Sequence, residues 1–198
     1  MGHREDLLEG AKRCLYEKGY ARTTARDIVA ASGTNLASIG YHYGSTEALL
    51  NAAMIQACDE WGEEMARALT ASGDPEATPL EQFEAGWSRV IESLAAHRQL
   101  WVATLEATVQ SEHAPELRTF MASALQQGRE GLAALFSKID PVSDPQQAWM
   151  VGSLYQALMS GVMVQWMIDP EHAPSGRDLA EAMRVIMGSG QPGEAKRD

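Results

Sequence analysis

The sequence predicts an all-α protein of about nine helices: an N-terminal three-helix helix-turn-helix head, joined by a long helix 4 to a C-terminal helical bundle. Two observations carry that reading. Apolar residues recur at helical spacing through almost the whole length, and no segment alternates as a strand would. Glycine, proline and capping residues fall between those helical periods, so they mark helix ends and not hairpins. Three regions follow: a head at 1–50, a body at 51–188 and a tail at 189–198 that is expected to be disordered.

The first helix runs over 4–18, with Leu7, Leu8, Ala11, Cys14 and Leu15 on one face and Gly19 as its stop. Thr24 caps the second, and Asp27 reaches back from the third position as a capping-box variant. That helix is short and ends near Ser32-Gly33. Asn35 caps the third, which runs to about Tyr43. Gly44 breaks it, and Ser45 or Thr46 caps a fourth helix reaching about Ala71. Residues 72–79 (SGDPEATP) read as a linker. Thr78, Pro79 and Glu81 then form a strong helix start: a cap, proline at the first position and a returning carboxylate. Five more helices are expected at about 79–96, 98–111, 114–139, 145–168 and 176–188.

The net charge of −11 argues superficially against nucleic acid, but its distribution changes that reading. Residues 1–50 hold six Lys/Arg and six Asp/Glu, so the body carries the whole excess. A neutral head can meet phosphates if its cations lie on one face, while an acidic body keeps the protein soluble and repels DNA elsewhere.

Residues 33–47, GTNLASIGYHYGSTE, hold the most informative pattern. A short helix after a tight turn is the element that enters a major groove. Leu36, Ile39 and Tyr43 share a face and are expected to pack inward. Ala37, Ser38, Gly40, Tyr41 and His42 then face outward. Small outward residues let the backbone approach base edges. Serine, asparagine, tyrosine and the helix N-terminus supply hydrogen-bond donors.

The longer run TTARDIVAASGTNLASIGYHYGSTEALL resembles the DNA-binding signature of TetR-family transcriptional regulators, and the resemblance covers roughly residues 4–55. It implies a ligand-responsive regulator, a repressor in most cases, that binds a palindromic operator on double-stranded DNA as a homodimer and is released by a small-molecule inducer. The DNA-contacting positions it implies are Thr24 and Arg26 near the backbone, Asn35 as cap, and Ala37, Ser38 and Gly40 at the bases. Tyr41, His42 and Thr46 would meet phosphates. Two positions depart from the family pattern: Thr46 stands where lysine is usual, and Tyr43 where phenylalanine is usual. A different control is compatible with the same head: a partner protein, or activation without a small ligand.

In the body, Trp87, Trp101, Tyr155, Trp166, Met159 and Met163 serve equally as plain core or as the lining of an apolar ligand cavity. His97, Glu106, Gln156 and Gln165 are candidate polar groups for orienting such a ligand. Ser153, Ala157 and Gly161 repeat at every fourth position, so another helix can approach closely there. Leu179, Met183 and Ile186 of the last helix offer a partner face. Packing within the chain would use those residues too. The resemblance implies dimerisation through the last two helices, which form a four-helix bundle with their copies.

Nothing in the sequence points to an enzyme or a cofactor. The five histidines show no metal-binding spacing, no CxxC occurs, and no glycine-rich phosphate loop follows a strand. Cys14 and Cys58 read as buried thiols of a reducing cytoplasm, the expected location. Residues 145–168 lack charge but carry too many polar side chains for a membrane span.

Overall fold

The computed structural model describes residues 2–71 and 76–188. Nine helices occur among them: α1 (His3–Lys18), α2 (Ala25–Ser32), α3 (Leu36–Tyr43), α4 (Thr46–Ala71), α5 (Pro79–Ala96), α6 (Arg98–Gln110), α7 (Pro115–Ser137), α8 (Pro145–Ile168) and α9 (Gly176–Gly188). No strand occurs among the described residues. Linker residues 72–75 and the tail 189–198 lie outside them.

The helix starts are local hydrogen-bond devices. At α2 the Thr24 Oγ1 accepts the Asp27 N–H at 3.3 Å, and the Asp27 carboxylate accepts the Thr24 N–H at 2.9 Å. Thr78 and Glu81 repeat the pattern before α5, and Ser175 and Asp178 before α9. Each box satisfies donors that a helix end leaves unpaired. At α4 the cap is Ser45, whose Oγ accepts the Ala48 N–H at 3.0 Å. Between α2 and α3 the chain turns through Gly33 at φ 68°, a left-handed conformation that a side chain disfavours.

The chain divides into two compact units. The first contains residues up to Glu64 together with His97–Ala157. Leu7, Ala11, Cys14 and Leu15 of α1 pack there with Ile28, Ile39, Leu49, Leu50, Ala53 and Met54. Ala103 and Ala107 of α6 and Leu117 of α7 join the same core. The helices α1 and α2 come close because Gly10 has no side chain; a Cβ there would stand 2.7 Å from the Ser32 Cβ. Burial pushes the Cys14 thiol up and the Cys58 thiol up to about 11, which fits inert core residues.

The second unit contains Met65–Ala96 and the residues from Leu158 onward. Its buried centre includes Trp87, Val90 and Leu94 of α5, Met159, Val162 and Met163 of α8, and Ala180 of α9. Helix α9 packs along α5, and Gly176 at its start lies against the α5 backbone at Glu84 and Ser88.

Candidate functional site

Helix α3 is a two-turn helix held on the first-unit core by one fully buried side chain, Ile39. Asn35 caps it, its Oδ1 accepting the Ser38 N–H at 3.1 Å. Tyr43 is half-buried and does more than a phenylalanine could. Its hydroxyl donates to the Arg4 carbonyl at 2.9 Å, and the Arg4 guanidinium sits 5.4 Å from its ring centre. The tyrosine thus ties the start of α1 to the end of α3.

The expectation that Leu36 packs inward is wrong: its side chain is 53% exposed. Leu36 does share a helical face with Ile39 and Tyr43. It occupies the first turn, however, and side chains there lean toward the helix N-terminus, away from the core beneath Ile39.

The outward face otherwise has the expected members. Ala37 and Gly40 are exposed, and no atom lies within 4 Å of where a Gly40 Cβ would stand. Tyr41 is 86% exposed, and its ring meets the His42 ring edge-on with centroids 4.8 Å apart. Ser38, His42 and Thr46 are half-buried; Thr24, Arg26 and Asn35 are exposed. This surface is thin and carries hydroxyl and imidazole tips, which suits hydrogen bonding to phosphate oxygens.

Not every head cation is available to a polyanion. Lys12 is held by Glu60 at 2.6 Å and Glu9 at 3.1 Å. Lys18 is held by Asp27 at 2.5 Å. The hydrogen bond from Lys18, reinforced by the Thr24 hydroxyl and N–H, holds the Asp27 carboxyl well below the usual carboxylate range. Arg4, Arg13, Arg22 and Arg26 are exposed.

The candidate ligand residues fall in both units. In the first, the Glu106 Oε2 accepts the Ala21 N–H at 3.1 Å and braces the turn between α1 and α2. His97 pairs with Glu64 at 3.2 Å. Trp101 is buried edge-on to Trp61, with centroids 4.9 Å apart. The Tyr155 hydroxyl lies 3.0 Å from the Ser137 Oγ, and its ring lies beside Phe136. Trp87, Met159, Met163 and Trp166 belong to the second unit; the first three are buried and Trp166 is half-buried. Among the described residues of the first unit, four buried polar atoms lack a hydrogen-bond partner: the Gln56 Oε1, the Trp101 Nε1, the Arg129 Nε and the Ser153 Oγ. Arg129 was not legible as special in the sequence, because a lone arginine in a helix carries no pattern.

Helix α8 presents an unbroken apolar stripe. Met150, Leu154, Ala157, Gly161, Val164 and Ile168 recur at alternating steps of four and three, and all are exposed. Ala157 and Gly161 therefore lie on it, while the Ser153 hydroxyl is buried elsewhere on the helix. On α9, Ile186 is exposed beside Val185 and Met187, and Leu179 and Met183 are half-buried. Among the described residues, no helix is long and apolar enough to cross a membrane, and no group of three or more His, Cys, Asp or Glu could hold a metal ion.

Residues 7–53 match the model for bacterial regulatory proteins of the tetR family, and residues 78–189 match the tetracyclin repressor-like C-terminal domain. The HTH-type transcriptional repressor AcnR of Corynebacterium efficiens is 41% identical over 49 residues, which is 25% of this chain. The match spans 26% of that relative's length, so it concerns the head alone. A transcriptional regulator of Streptomyces coelicolor A3(2) superposes with a TM-score of 0.68 at 22% identity, covering 93% of this chain and 97% of that one. The multidrug binding protein EbrR, complexed with proflavin, gives 0.62 at 21% identity over 93% and 99%. At such identities the two structures bear on the fold.

Proposed function

The chain belongs to the TetR family of bacterial regulatory proteins, and we propose that it is a dimeric repressor whose two α3 helices read the half-sites of a palindromic operator. It is a DNA-binding regulator and not an enzyme. The observation that carries the reading is the outward face of α3, with Tyr41 86% exposed beside a bare Gly40. Dimerisation rests on the α8 stripe, whose six exposed members carry no hydrogen-bonding side chain. A two-fold dimer places its recognition helices ~34–36 Å apart, one DNA turn. Repression is inferred from the relative AcnR, described as a repressor.

Release by a small apolar or aromatic molecule is the second half of the proposal. EbrR, a fold relative, is found with the aromatic molecule proflavin. The inducer must bind the DNA-incompetent state better, or it shifts nothing. Within the first unit, α6 offers a route to the head beside α4. Ala103 and Ala107 pack in the head core, and Glu106 holds the Ala21 N–H. A shift of α6 pulls on that turn, and α2 and α3 follow it.

The test is fluorescence anisotropy with duplexes from the DNA flanking the protein's own gene. The wild type is expected to bind, and Tyr41→Ala with His42→Ala to weaken binding at least ~100-fold, the loss of two contacts to charged groups per subunit. Unchanged affinity in the double variant, with helicity intact, refutes the role of this face.

A further inference from the structure

We propose that Leu36 reads the 5-methyl group of a thymine in the major groove, so that each half-site is specified chiefly by apolar contact. The assignment rests on the DNA-binding reading above. Residues 36–43, LASIGYHY, contain no Arg, Lys, Asn or Gln, the side chains that grip a base edge with two hydrogen bonds. The one amide next to them, Asn35, has its carbonyl oxygen engaged on the Ser38 N–H. What remains toward the bases is Leu36, Ala37 and Gly40 with the single hydroxyl of the half-buried Ser38, flanked by the Tyr41 ring.

Leu36 is shaped for that use. It stands 53% exposed on the recognition helix. Gly40, one turn on, is the position whose side chain would lean back over it, and Gly40 has none. The leucine is therefore uncovered on the side a groove would approach. An isobutyl group makes no hydrogen bond to any base edge. The one apolar feature the major groove offers is the thymine methyl, so an A·T pair is the partner that rewards this side chain.

The experiment begins with duplexes selected by the full chain from a random-sequence library. In the selected duplex each thymine is replaced in turn by deoxyuridine, which removes only the methyl. The wild type is expected to lose about fourfold in affinity per half-site at one position, the value of one buried methyl. Leu36→Ala is expected to bind more weakly and to lose its sensitivity to uracil at that position alone. Leu36→Met, which keeps an apolar reach, retains the sensitivity and guards against a folding defect in the alanine variant. The proposal is overturned if no thymine shows the penalty with the wild type, or if the penalty survives undiminished in Leu36→Ala. A chain that selects no duplex at all refutes the DNA-binding reading itself, and the leucine assignment with it.

Discussion

Helices α3 and α8 both leave one face uncovered, and the two faces ask for different partners. The α3 face is short and thin: an alanine, a bare glycine, one leucine, and hydroxyl and imidazole tips at its end. The α8 face repeats Met150, Leu154, Ala157, Gly161, Val164 and Ile168 over most of a 24-residue helix. A hydrated polyanion can satisfy the first face, whose donors need acceptors and whose small residues need a close backbone. Only another apolar surface satisfies the second, because none of its six side chains can hydrogen-bond. Exposure is therefore a common property with opposite meanings, and the side-chain chemistry decides between them.

The sharpest way to break the comparison is a charge in the middle of the α8 stripe. Leu154→Glu leaves the isolated chain's fold unchanged, since Leu154 is already half-exposed. In a dimer it would bury an unpaired carboxylate, which costs several kcal/mol. Self-association is expected to weaken at least ~100-fold, giving the mass of one chain by sedimentation at 10 μM, a concentration at which the wild type should be dimeric. Affinity for a two-half-site duplex should fall with it. A Leu154→Glu protein that stays dimeric means that α8 is covered by something else.

A smaller effect sharpens the α3 side. Thr46 is half-buried at the first position of α4, where the family resemblance implies a lysine. Thr46→Lys adds one cation per subunit beside the proposed phosphate path. The plot of log affinity against log salt should steepen by about 0.9 per half-site, with several-fold tighter binding at low salt. An unchanged slope would place residue 46 away from the backbone of the duplex.

How far these faces could be read from sequence follows from the range of the interactions that make them. Helix ends were legible because a cap spans only four residues: Thr24 with Asp27 and Thr78 with Glu81 form as their spacing predicts. The inward side of α3 was legible at Ile39 but not at Leu36, where helical phase alone cannot tell a first turn from a middle one. Long-range partners were not legible. Glu106 reads as a pocket carboxylate, yet its partner, the Ala21 N–H, lies 85 residues away. The hydroxyl of Tyr43 likewise finds Arg4, 39 residues earlier. On α8 the four-residue spacing groups Ser153 with Ala157 and Gly161, yet the Ser153 hydroxyl is buried. The exposed heptad that contains Ala157 and Gly161 runs instead through Met150 and Leu154.

The smallest predicted effect separates the two faces by pH. The platform under α3 depends on the α2 cap, and Asp27 serves that cap while also holding Lys18. Its carboxyl titrates below its unfolded value of about 3.9. A depressed acid stabilises the fold at every pH above that unfolded value and loses the contribution as pH falls through the folded one. Thermal melts should therefore show Asp27→Asn less stable than the wild type at pH 7. The gap should narrow steadily below about pH 4, where the unfolded chain's Asp27 takes up its proton while the folded one still resists it. Because the group is largely solvated, the difference is expected to be small. Helix α8 has no charged residue between Pro145 and Ile168, so self-association of both proteins should follow one common curve from pH 5 to 8. A gap that stays constant through pH 3 would show that the Asp27 cap does not support the head. A pH-dependent dimer in that neutral range would show that charged groups outside α8 share the contact.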